Sequence, residues 1–146
     1  MKTVLLLFAL LPALAAAGED DSRTVVHLSP QHRAMVLAEM RQFLSGLQEI
    51  SDALSRGDMQ AVASTTHALG RPMTQRMPPD LRQALPEAFR KLGFSVHSDF
   101  DQMALDAEAL GDAGHTLYQL GQALSKCVSC HEAYQIREDG GCAGVD

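Results

Sequence analysis

Strand-forming signals are scarce in this 146-residue chain: isoleucine occurs only twice. No alternating run of β-branched residues stands out, so a sheet-based fold has little to build on. Beyond the N-terminal segment there is no second long apolar stretch, which leaves no candidate for a membrane span. Positive charge is in deficit, with 12 Lys and Arg against 18 Asp and Glu, a net charge of −6. Such an excess of acid argues against nucleic acid and against an anionic membrane surface as partner. Catalytic signatures are missing too. There is no Ser-His-Asp order, phosphate-binding glycine loop or H-E-x-x-H, so nothing supports a hydrolase. No internal repeat appears beyond a shared helical period.

The length is that of one domain. Residues 1–17 have the make-up of a secretory signal peptide. Lys2 supplies the positive start, Val4 to Leu11 the apolar run, and Ala15-Ala16-Ala17 the small-residue cleavage site before Gly18. Export, and with it a periplasmic location, is the expectation. Loss of Lys2 with the leader takes the net charge to about −7. Residues 18–28, with Glu19-Asp20-Asp21, read as a flexible N-terminal arm, and residues 138–146 as a flexible C-terminal tail. Cysteine count is odd, at three. Cys142, in Gly140-Gly141-Cys142-Ala143-Gly144, reads as an exposed thiol, with a disulfide across a dimer as the alternative.

Between arm and tail, apolar residues recur at steps of three and four. Ser29-Pro30 opens a first helix as N-cap and first helical residue, and Gly57 closes it. Its stripe is Val36, Met40, Phe43, Leu47, Ile50 and Leu54. Asp58 caps a second helix carrying Val62, Thr66, Leu69 and Met73, interrupted at Gly70 and Pro72. Met77-Pro78-Pro79 is a break, followed by one short turn of helix from Asp80 to Leu85. Pro86 starts a third helix with Phe89, Leu92, Val96, Phe100, Met103, Ala107 and Leu110, ending at Gly111. The fourth runs from about His115 to Arg137 on a stripe of Leu117, Leu120, Leu124, Cys127, His131 and Tyr134. Four amphipathic helices with short links predict an all-α, antiparallel four-helix bundle over residues 29–137.

On that last stripe stands Cys127-Val128-Ser129-Cys130-His131, the C-x-x-C-H pattern of covalent haem c attachment. Each cysteine sulfur can form a thioether to one haem vinyl, and the histidine offers an imidazole to the iron as proximal ligand. Residues three and four apart share a helix face, so the three side chains are expected to project to one side, toward the core.

The motif's place near the C-terminus of the last helix, with the helix order from Leu28 to Ile136, resembles the cytochrome c-prime family. Cys130-His131-Glu132-Ala133-Tyr134 matches the family's C-H-x-x-aromatic continuation. The resemblance implies one covalent haem, redox partner proteins in the periplasm, frequent homodimerisation, and a first helix that supplies the residue facing the iron's sixth position. One departure is plain: the family places Arg or Lys after the aromatic, where this chain has Gln135, with Arg137 the nearest cation.

Met40 is the candidate for that sixth position, with Leu37 as the apolar alternative and core packing as Met40's other role. Arg33 is a candidate partner for a haem propionate, as a first-helix arginine is in the resembling family, or else a solvated charge. Tyr134 is placed at the haem edge or in the core. His97 reads as partly buried and hydrogen-bonded rather than ligating; His27, His32, His67 and His115 read as solvent-facing. Three functions compete. The first is an electron carrier with a sixth protein ligand, and the second a five-coordinate haem protein binding small gases such as nitric oxide or carbon monoxide. The third is a zinc or dithiol module, which would want a fourth ligand that only Cys142 offers, or a βαβ context that is absent.

Overall fold

The computed structural model describes residues 21–140. The leader, Glu19-Asp20 of the arm, and Cys142 lie outside the described residues. Helix accounts for 77% of the described residues, which carries the expected all-α class with one exception described below.

Local signals place most of the boundaries. Helix α1 spans Pro30–Ser55, and the Ser29 hydroxyl accepts from the His32 amide at 3.2 Å, as an N-cap should. It ends against Gly57, whose φ of +67° suits a residue without Cβ. Helix α2, Met59–Leu69, is capped by Asp58, which accepts from Ala61 N at 3.0 Å. At Gly70 and Pro72 the path breaks into a four-residue α3, Arg71–Thr74, and the prolines then open α4, Pro79–Ala84. Helix α5, Glu87–Leu110, ends at Gly111, φ +61°, and Asp112 caps α6, Ala113–Ala133, by accepting from Gly114 and His115.

The main core lies among α1, α2, α5 and α6. Ile50, Val62, Phe100 and Met103 are its fully enclosed side chains. Burying each large apolar side chain contributes on the order of 1.5–3 kcal/mol. α1 packs on α2, α2 on α5 and α5 on α6, whereas α1 and α6 are not closely packed on one another. The α1–α2 approach is close at Gly46: a Cβ there would lie 2.6 Å from Leu69 Cδ1.

Two expectations fail at the chain's ends. The N-terminal arm is not free: Thr24–Leu28 is a strand, β1, and the fourth helix stops at Ala133 rather than Arg137, giving way to β2, Tyr134–Glu138. The two pair in parallel, Thr24 opposite Tyr134 and Leu28 opposite Glu138. Asp139, assigned to the tail, also donates its amide to Leu28 O at 2.9 Å. Val26 and Leu28 alternate inward from β1 and join Val36, Leu81 and Leu85 in a second, smaller core, on which Tyr134 and Ile136 of β2 pack. The physical reason is partnership. Five residues cannot hold a strand alone, but the ladder and this apolar underside reward extended backbone at both ends.

Candidate functional site

Cys127, Cys130 and His131 occupy the last turns of α6, but their environments differ. Cys127 is half-buried and packs against the main core; Cys130 is half-buried; His131 is exposed. Burial pushes both thiols above the ordinary cysteine value, with Asp99 adding to the effect at Cys127 and Cys127 adding to it at Cys130. Both therefore stand as neutral thiols rather than thiolates. Lys126, next in the chain to Cys127, holds Asp99 of α5 at 2.5 Å and so fixes this turn to its neighbour.

The expectation that the whole stripe of α6 faces the core needs correction. Leu120 is buried and Cys127 half so, but Leu117 is 62% exposed, Leu124 39% and Val128 55%. The reason is the absent packing of α1 on α6. Leu117 lines a recess with α1, and Leu124, Val128 and His131 follow it at helical steps of seven, four and three, which puts them on the same flank of α6. Leu44 of α1, 69% exposed, shares by its seven-residue step the side of Ser51, which lines that recess. At one end the flank opens into a recess of about 380 Å³ lined by Ser51, Leu54 and Ser55 of α1 and Ala113, Gly114 and Leu117 of α6. At the other end, a recess of about 260 Å³ is lined by Arg33 with Ile136, Arg137 and Glu138.

Met40 shares the α1 stripe of Arg33, Leu37, Leu44 and Ser51, at steps of four, three, four and seven. Half-buried, it belongs to neither apolar cluster, unlike Met35, which packs in the second core. Arg33 sits at the strand end, where its Nη1 meets Glu138 Oε1 at 3.4 Å. Tyr134 packs edge-to-face on Phe89, ring centroids 5.3 Å apart, in the second core. This packing is one of the two roles that the sequence left open. His97 is buried and hydrogen-bonded on both nitrogens, as expected. His27, His67 and His115 are exposed, but His32 is half-buried and pairs with Asp80 at 3.1 Å.

Two contributions escaped the sequence. Arg23, just before β1, sends Nη1 to within 3.4 Å of the His131 carbonyl, and Gln135 donates its side-chain amide to Arg23 O at 3.3 Å. The guanidinium is paired with Asp21, whose exposed carboxyl it lowers to about 2. The Asp21-paired guanidinium thus reaches the backbone of His131 from the far end of the chain. Glu39, the partner of His97, is the other. The only sequence signal for Arg23 was the β-branched pair Val25-Val26 beside it.

Among the described residues no group of three or more His, Cys, Asp or Glu converges to hold a metal ion. The zinc reading therefore lacks a ligand set there. No helix of the described residues is long and apolar enough to cross a membrane. Comparison with protein-family models, with curated proteins and with solved structures returns no match to this chain.

Proposed function

We propose that this protein is an exported, periplasmic mono-haem c-type cytochrome of the c-prime kind, its long helices α1, α2, α5 and α6 forming an antiparallel four-helix bundle, and that it transfers electrons to and from redox partner proteins. The observation that carries the reading is an adjacency. The C-x-x-C-H residues stand on α6 beside an apolar flank that no element of the described residues covers. Exposed apolar surface of this kind marks a binding site more often than idle surface, and cofactors in helical bundles sit between facing helices.

The donor set suits haem c. Cys127 and Cys130 are one helical turn apart on α6, and His131 follows as an exposed imidazole. Haem held there supplies one-electron chemistry at its iron. The chain's own part is to anchor, orient and shield. Cys127 and Cys130 anchor to α6; His131 ligates from the same helix; Leu117, Leu124 and Val128 of α6 and Leu37 and Leu44 of α1 exclude water. Met40 is the candidate sixth ligand, a thioether that favours the reduced state. Arg33 and Arg137 line the recess at the strand end, where acidic propionates would find positive charge; Glu138 has to release Arg33 for that.

The test is an absorption spectrum of the exported protein made in cells able to attach haem, oxidised, then reduced, before and after carbon monoxide. A low-spin spectrum that the gas leaves unmoved supports electron transfer through six-coordinate iron, and Met40→Ala should then open the site. A high-spin spectrum that shifts at once favours the gas-binding alternative, with Leu37 and Met40 as pocket walls. Haem that Cys127→Ser together with Cys130→Ser fails to release on denaturation, or no haem at all, overturns the reading.

A further inference from the structure

A buried histidine with two polar partners lies away from the motif. His97 of α5 is 3% exposed. Its Nδ1–H donates to Leu69 O of α2 at 2.7 Å and its Nε2–H to Glu39 Oε1 of α1 at 3.0 Å. A ring protonated on both nitrogens satisfies both of these oxygen partners at once. Phe43 of α1 lies against the same ring, centroids 5.1 Å apart, and against Phe100 at 5.6 Å. α1 and α5 are not neighbours in the packing, so these contacts reach across it.

A buried ion pair adds little stability over a well-packed apolar substitute; its attested use is to specify one arrangement. Here the arrangement is the rotation of α1 about its own axis. Successive residues on a helix are turned by about 100°. Holding Glu39 toward α5 therefore turns Met40 to the adjoining flank, with Arg33, Leu37, Leu44 and Ser51. That is the flank whose ends open into the recesses shared with α6 and β2. No close packing of α6 on α1 sets that rotation.

We propose that the His97–Glu39 pair is a positioning device that sets the rotation of α1 and so presents Met40 to the groove opposite His131. The proposal rests on the haem reading above and on Met40 as sixth ligand, but it assigns His97 and Glu39 no contact with the iron. It makes the sixth position depend on a pair of side chains that a purely apolar core would not need.

The experiment compares the haem-loaded parent with Glu39→Ala, Glu39→Gln and Ile50→Val. Glu39→Gln keeps an acceptor oxygen for Nε2 and serves as the conservative rescue; Ile50→Val weakens the same core without touching the pair. Two readouts are taken: carbon monoxide uptake by the reduced protein, and the rate of peroxide oxidation of Met40, mapped by mass spectrometry against Met35 as internal reference. Glu39→Ala is expected to raise the gas-competent fraction about ten-fold and to speed oxidation of Met40 but not Met35, with covalent haem content unchanged. Glu39→Gln and Ile50→Val are expected to stay near the parent on both. If Glu39→Ala does not accumulate, Glu39→Leu, which fills the space, takes its place. Parent-like behaviour of the Ala or Leu variant overturns the proposal, as does an equal rise in Ile50→Val. A parent that already takes up carbon monoxide overturns it while leaving covalent haem attachment standing. A chain that attaches no haem overturns both.

Discussion

On its α2 side, α1 brings Gly46 so close to Leu69 that a Cβ would lie 2.6 Å from Cδ1, and Ile50 below it is fully enclosed. On its α6 side, the same helix leaves Leu44 69% exposed, facing an α6 wall on which Leu117 is 62% exposed. One helix thus has a closed flank and an open one, although leucines stand on both. Hydrophobic residues at helical spacing say that a surface wants cover; they do not say whether protein or a ligand provides it. The exposed side of α6 carries the C-x-x-C-H motif near its C-terminal end, which is why haem is the cover we propose.

The contrast can be broken most forcefully from the closed side. Phe100→Ala, deep in the main core, should cost about 3–5 kcal/mol, read as a large drop in the urea midpoint; a loss under about 1 kcal/mol would mean that this core is loose. Gly46→Val should cost about 1–3 kcal/mol by overpacking against Leu69, whereas the same change at an open-flank position would meet no such wall.

A pH series tests the diagonal link. Burial pushes the His97 imidazole down, but its hydrogen bonds to Glu39 and to the Leu69 carbonyl outweigh that and hold it above its ordinary 6.5. A value raised in the folded state stabilises fully below the unfolded value and loses that contribution as pH climbs through the folded one. Urea midpoints should therefore fall as pH climbs above the ordinary imidazole value of 6.5, and Glu39→Gln should flatten the slope. A parent curve that rises over that range would contradict the charged pair.

The smallest effect belongs to the open flank. In chain without haem, Leu44→Ser should change stability by less than about 0.5 kcal/mol, since the side chain is already in water. In haem-loaded protein the cost should grow, because the flank is then covered. Equal costs in the two states, measured by thermal unfolding, would count against haem as the cover.

Helix starts and stops were legible because they are local chemistry. Ser29, Asp58 and Asp112 cap by bonding amides two or three residues on, and Gly57 and Gly111 accept positive φ. The last helix starts at Ala113, two residues before the His115 that its apolar period predicts, because Asp112 caps it. The stripe of α6 was legible as a period and misread as an orientation, since Leu117 and Leu124 keep the spacing of core residues without a neighbour to bury them. Arg23 beside His131, and Glu39 beneath His97, were invisible because each partner lies far along the chain.

The amino-acid sequence by itself determined where the helices run, their breaks at Gly70 and Pro78, and the C-x-x-C-H triplet on the last of them, because capping, proline geometry and ligand spacing act within a few residues. Tertiary structure decided the rest. It drew Thr24–Leu28 and Tyr134–Glu138 into a parallel pair, left one flank of α1 open, and chose which polar groups are buried together. Those outcomes depend on contacts between segments distant in sequence, and no local propensity records them.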